Sequence, residues 1–155
     1  PVYPHLYLSG DSDATVVSAA RAANKGMPRH LVERVERELG SLEGKKIVVL
    51  GLAYRAGVRE SAFSGAWDLV KLISGKGGLP EVHDPLYSED ELRALGLAPF
   101  QLGEVCDAAI LQTDHDEYNT LRVEDFPGMQ FFADGRNFAP EELKNKVKTY
   151  VLGKG

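Results

Sequence analysis

The sequence predicts an α/β fold: a parallel sheet with helices on both faces, preceded by a helical connecting arm. Three observations carry that expectation. Short apolar runs recur after residue 44, helical patterns separate them, and each run ends in a polar cluster. At 155 residues, the chain suits one domain, or one domain plus an appendage, and a chain of this size buries roughly 68–70% of its unfolded surface.

Residues 1–10 read as irregular, punctuated by Pro4 and Gly10. Asp11-Ser12-Asp13 is an N-cap cluster that opens a helix running through Ala14 to Asn24. Gly26 and Pro28 are expected to break or kink it, because proline lacks an amide donor and clashes with the preceding turn. Helix resumes near Arg29, with Leu31, Val32, Val35 and Leu39 on one face, the charged run Glu33 to Glu38 as a solvated face, and Gly40 as the stop. This segment has no strand of its own to pack on. It reads as a connecting arm, which divides the chain into an arm at 1–43 and a sheet domain at 44–155.

The first strand is the continuous apolar run from Lys45 to Leu52, β-branched at its centre and suited to burial on both faces. A helix follows from about Ser61, with Phe63, Ala66, Trp67, Val70 and Ile73 at helical spacing, ending in Gly75 to Gly78. Pro80 to His83 forms a second strand, and Ser88 to Gly96 a short helix with a capping serine, an acidic first turn and a terminal glycine. Ala108 to Gln112 and Gln130 to Ala133 are two further strands, and Glu141 to Val147 a closing helix. The layout is Rossmann-like.

Eighteen Lys and Arg against 23 Asp and Glu leave a net charge of −5, which argues against a nucleic-acid or anionic-membrane binder. The single cysteine, Cys106, excludes an internal disulfide and any cysteine-based zinc site, and reads as a small buried hydrophobe. No apolar run reaches the ~18 residues of a membrane span, and no signal peptide is visible, so a cytoplasmic location is expected. The first residue is proline, so the sequence is expected to be a piece of a longer protein.

In open α/β sheets, ligands collect beyond the carboxyl ends of the strands. The predicted strands end there in Gly51-Leu52-Ala53-Tyr54-Arg55, His83-Asp84-Pro85, Thr113-Asp114-His115 and Asp134-Gly135-Arg136-Asn137. Arg55, Arg59 and Arg136 fall on that edge, where guanidinium donors suit phosphate oxygens and Tyr54 can stack on a base or ribose. The first turn has alanine where a dinucleotide fingerprint needs its second glycine, and no closing glycine. A domain that does not bind NAD alone is the expectation. His83, His115, Asp84, Asp114 and Asp116 do not read as a metal site, because adjacent positions point in different directions. Cys106, beside Glu104 and Asp107, lacks the electropositive surroundings of a nucleophile.

Gly51 to Arg55, Arg59-Glu60-Ser61, Asp84-Pro85, Thr113 to Asp116 and Asp134 to Asn137, with Asn24 and Met27-Pro28 in the arm, together resemble the C-terminal domain of the UDP-glucose/GDP-mannose dehydrogenase family. The resemblance implies an NAD-dependent enzyme that oxidises the C6 hydroxyl of a nucleotide sugar to a carboxylate, giving a uronic acid for polysaccharide biosynthesis. It implies that Tyr54 lies beside the substrate, that Arg55 is a cation on the UDP-sugar, and that Arg136 binds substrate. Arg59 would reach toward NAD held mainly by a preceding domain, and Asp84, Asp114 and Asp134 would order loops. It implies a homodimer through the central helical region. The family's catalytic cysteine would precede a segment like Pro1 to Pro4, where Tyr3 replaces an aspartate, so the piece is expected to lack both that nucleophile and the NAD domain and to be inactive alone. Only Ala56-Gly57-Val58 separates Arg55 from Arg59, fewer residues than the family usually carries. Two other readings remain: a non-catalytic, flavodoxin-like signalling or interaction module, and a mainly structural piece that dimerises through residues 11–40. The first turn lacks the acidic cluster of a phospho-receiver.

Overall fold

A computed structural model describes residues 15–154. The irregular stretch 1–10, Tyr3 and the capping cluster at 11–13 lie outside the described residues. The elements are α1 (Thr15–Leu39), β1 (Lys46–Leu50), α2 (Gly65–Gly75), β2 (Leu79–His83), α3 (Glu89–Ala94), β3 (Ala108–Leu111), β4 (Phe131–Asp134), α4 (Glu141–Lys146) and β5 (Lys148–Val151). Two 3₁₀ turns, Asp116–Thr120 and Val123–Asp125, join β3 to β4.

The strands form one parallel sheet in the order β2-β1-β3-β4-β5. Alternation along each strand assigns side chains to opposite faces. Ile47, Val49, Ala108, Ile110, Phe131 and Ala133 enter a core shared with Leu31, Val32 and Val35 of α1 and Ala66, Leu69 and Ile73 of α2. Val48, Leu50, Ala109, Leu111 and Phe132 enter the other, closed by Phe100, Tyr118, Leu121, Phe126 and Leu143. Burial on both faces is why these strands read as unbroken apolar runs.

Three expectations are corrected. Gly26 and Pro28 do not break α1, which is one helix with Pro28 inside it. Burial of Pro28, Leu31, Val32 and Val35 holds the helix across the proline; each buried aliphatic contributes ~1.5–3 kcal/mol, against ~3 kcal/mol for an internal proline. The run Glu33 to Glu38 is only partly a solvated face. Lys76 donates to Glu36 at 2.7 Å, Lys148 pairs with Glu38 at 2.5 Å, and the Arg34 guanidinium sits 5.1 Å from the centre of the Tyr150 ring. Finally, α2 begins at Gly65 rather than near Ser61: Ser64 caps it by accepting from the Ala66 amide at 3.2 Å. Phe63, expected on the helix's buried face, lies before it at φ +63° and is 83% exposed; Leu69 takes the buried position. Trp67 is half-buried against the core, its indole N–H donating to the Ser61 carbonyl at 2.9 Å.

The edge strand β5 was not expected. Its residues, Lys148-Thr149-Tyr150-Val151, are polar enough to read as coil and are placed by pairing with β4.

Candidate functional site

Chain order reverses between β1 and β3, since β2 lies on one side of β1 and β3, β4 and β5 on the other. At such a point the loops leaving the carboxyl ends part and leave a crevice. Here they are laced together. Gly51, at φ +97°, turns the chain out of β1 against Thr113, and the Thr113 hydroxyl donates to the Ala53 carbonyl at 2.5 Å.

Asp84 is the centre of this edge. Its Oδ2 accepts from the amides of Leu52 and Ala53 at 2.7 and 2.9 Å and lies 3.2 Å from His115 Nε2, while Oδ1 accepts from the Leu86 amide at 2.8 Å. Burial pushes this carboxyl up, but the hydrogen bonds from His115, Ala53 and Leu86 outweigh it and hold the group below the usual carboxylate range. Asp134 does the same at β4: Oδ1 accepts from the Arg136 amide at 3.0 Å, and Oδ2 from the amides of Phe138 and Ala139 at 2.9 and 3.0 Å. Both aspartates order loops, as the resemblance implied.

The Asp84 contacts bear on dinucleotide binding. In a dinucleotide fingerprint, turn amides after the first strand face a pyrophosphate. The amides of Leu52 and Ala53 are instead occupied by a carboxylate of this chain, so the turn does not fit NAD. An anion at this edge is not met by those two amides.

The sequence-predicted side chains share the edge. Tyr54 and Arg55 follow β1, with the Arg55 guanidinium 6.0 Å from the Tyr54 ring centre. Their loop is a tight turn: the Tyr54 amide donates to the Glu60 carbonyl at 2.9 Å, and Arg55 bridges Val58. Arg136 follows β4, its Nε and Nη2 on Asp114 Oδ1 at 3.2 and 3.0 Å. Only β3 separates β1 from β4, so the two loops leave the sheet roughly 10 Å apart. Arg59 turns toward α3. Its Nε donates to the Leu86 carbonyl at 2.9 Å, its Nη2 pairs with Glu91, and its guanidinium lies 5.0 Å from the Tyr87 ring centre.

Two clefts flank β2 and α3. One of about 430 Å³ is lined by His83, Asp84, Tyr87, Leu92 and Phe100 among others; the other, about 310 Å³, by Arg59, Tyr87, Glu91, Ala94 and Leu95. Tyr54, Arg55 and Arg136 line neither. Among the described residues, no group of three or more His, Cys, Asp or Glu side chains converges as a metal site.

A model of the UDP-glucose/GDP-mannose dehydrogenase family, UDP binding domain, matches residues 48–141, more than half of the chain. The chain belongs to this family. The match runs from β1 into α4 and so includes Asp84, Asp134 and the loops they order. Within the dehydrogenase family, the UDP-glucose 6-dehydrogenase of Rickettsia felis is 28% identical over 154 residues, which covers 91% of this chain and 34% of that protein. The UDP-N-acetyl-D-mannosamine dehydrogenase of Methanocaldococcus jannaschii is 26% identical over 160 residues, 98% of this chain and 37% of that protein. A solved UDP-glucose dehydrogenase from the hyperthermophilic archaeon Pyrobaculum islandicum superposes with a TM-score of 0.69 at 28% identity, covering 88% of this chain and 32% of that one. The chain spans about a third of the length of the dehydrogenases it matches.

Sequence reasoning about this UDP-glucose/GDP-mannose dehydrogenase domain missed the parts played by Thr113, His115 and Tyr118. Their one visible signal was position after a strand end. The Tyr118 hydroxyl donates to the His83 carbonyl at 2.9 Å and lies 3.0 Å from His83 Nδ1. Burial pushes His83 down and Tyr118 well up, so both are neutral near pH 7. Cys106 is buried and its thiol is pushed up to about 12, by burial first and then by Asp107. It is expected to resist a thiol-specific disulfide reagent at pH 8 and to react fully once the chain is unfolded in urea; rapid reaction of the native protein would contradict that placement.

Proposed function

We propose that this chain supplies nucleotide-sugar binding to an NAD-dependent UDP-sugar 6-dehydrogenase, which converts the sugar C6 hydroxyl to a carboxylate for polysaccharide biosynthesis in the cytoplasm. The observation that carries the reading is the pair of buried aspartates, Asp84 and Asp134, locking by backbone hydrogen bonds the loops that present Tyr54-Arg55 and Arg136 at one sheet edge.

In this reading Arg55 and Arg136 hold the diphosphate, and Tyr54 packs on the ribose or base. Because turn amides are consumed by Asp84, the diphosphate charge is met by guanidinium groups. Arg136 exchanges Asp114 for phosphate, keeping a charged partner throughout. Binding energy gathered at the nucleotide positions a distant sugar carbon without touching it. Two NAD, bound in turn by another part of the enzyme, accept one hydride each in the two oxidation steps from hydroxyl to carboxylate; Arg59 is the residue assigned to face NAD. Residues 1–43 are the arm that links this domain, residues 44–155, to the rest of a homodimeric enzyme, with the second half of α1 seated on the sheet.

Calorimetric titration of the 155-residue chain tests this. UDP is expected to bind and uridine to bind far more weakly. Arg136→Ala is expected to weaken UDP by roughly 10–100-fold, the loss of charge-assisted hydrogen bonds worth ~1.5–3 kcal/mol, with little change in melting temperature. Equal affinity for UDP and uridine, or an unaltered Arg136→Ala, would overturn the reading.

A further inference from the structure

The turn carrying Arg55 and Arg59 is short, exposed at both arginines and built around Gly57 at φ +68°. One side chain reaches its middle from another loop. The Gly57 amide donates to His115 Nδ1 at 3.4 Å, and His115, 1% exposed, presents Nε2 to Asp84 Oδ2 at 3.2 Å. These contacts define the imidazole's state. A nitrogen that accepts an amide hydrogen carries none of its own, and the nitrogen facing a carboxylate carries the proton. Asp84 thereby orients the ring and fixes the tautomer, as a carboxylate does behind a metal-bound or catalytic histidine. The Tyr118 ring lies beside the imidazole, nearly perpendicular, at 5.7 Å between centroids.

We infer that His115 is a positioning residue for the arginine rim: fixed as the Nε2–H tautomer by Asp84, it pins the Arg55–Arg59 turn at the Gly57 amide. The inference rests on the proposed role of Arg55 for its effect on binding, but not for its effect on the turn. Gly57 lies two residues from each arginine; the turn's other backbone bonds are internal to residues 54–60, while the Arg59 side chain reaches the Leu86 carbonyl and Glu91. His115 therefore couples the turn to the aspartate that orders the β1 and β2 loops. Neither end of the imidazole can be exchanged: Nε2 has the proton for Asp84, and Nδ1 has the lone pair for Gly57.

Two conservative variants separate the ends. In His115→Asn the side-chain oxygen replaces Nδ1 and keeps the acceptor for Gly57. In His115→Gln the side-chain nitrogen replaces Nε2 and keeps the donor for Asp84. Amide hydrogen exchange and UDP affinity are measured on each, and a long-range proton–nitrogen spectrum of the unsubstituted chain reports which ring nitrogen carries hydrogen. His115→Gln is expected to speed exchange at Gly57 and weaken UDP, each by roughly tenfold, the effect of losing one hydrogen bond to a part-buried amide. His115→Asn, which keeps the acceptor for Gly57 but not the tie to Asp84, is expected to change both less than His115→Gln does. A proton on Nδ1, or His115→Gln behaving as the parent in exchange, overturns the inference. If the parent chain binds no UDP, the proposed function fails, and the spectrum and the exchange rates still decide the role of His115.

Discussion

Asp84→Ala is expected to destabilise the domain by about 4 kcal/mol, read as a shift of the urea midpoint at constant slope. The size follows from what the carboxylate satisfies. The amides of Leu52 and Ala53 are buried and donate to its Oδ2, the Leu86 amide is part-buried, and His115 Nε2–H would face a methyl group. Removing one partner from such a cluster leaves each remaining donor desolvated, which costs more than an average hydrogen bond contributes. A pH dependence accompanies it. The folded Asp84 carboxyl lies below its unfolded value, so its contribution is present above about pH 4 and is lost as pH falls through the folded value. Asp84→Asn is expected to flatten that acid limb, and an unchanged limb would contradict the assignment.

Gly51→Ala is the second large effect, about 3 kcal/mol. A Cβ at this position would lie 2.4 Å from Thr113 Cβ and 2.8 Å from the Thr113 backbone nitrogen, on a residue at φ +97°. The close backbone approach of Gly51 and Thr113 is what draws the β1 and β3 loops together, so the substitution strains the conformation and parts the loops at once. Its UDP affinity is expected to fall along with its denaturation midpoint. A variant as stable as the parent would show that the two loops are not packed as described.

Strands β1, β3 and β4 were legible because burial on both faces leaves apolar runs with no polar interruption, as in Ile47 to Leu50 and Ala108 to Leu111. The polar residues Asp84 and Asp134 were also placed correctly, as loop-ordering groups at strand ends. What could not be read was set by partners distant in sequence. The edge strand β5 exists through its pairing with β4, α1 continues through Pro28 because the sheet supports it, and Phe63 leaves the helix because Ser64 provides the cap. His115 stood in view beside Asp114, but its side-chain hydrogen bonds, with Asp84 and Gly57, come from 31 and 58 residues away. Arg59 likewise pairs with Glu91, a residue of α3, across 32 residues.

The carboxyl edge between the β1 and β4 loops is the proposed seat of a nucleoside diphosphate. Titrating UDP into the nitrogen-15-labelled chain and following every backbone amide tests it most directly. Saturable shifts are expected to concentrate at residues 54–59 and 134–137 and to need roughly 10–100-fold more UDP in Arg136→Ala. Shifts centred instead on the cleft of His83, Tyr87 and Phe100, with those two loops unmoved, would contradict it.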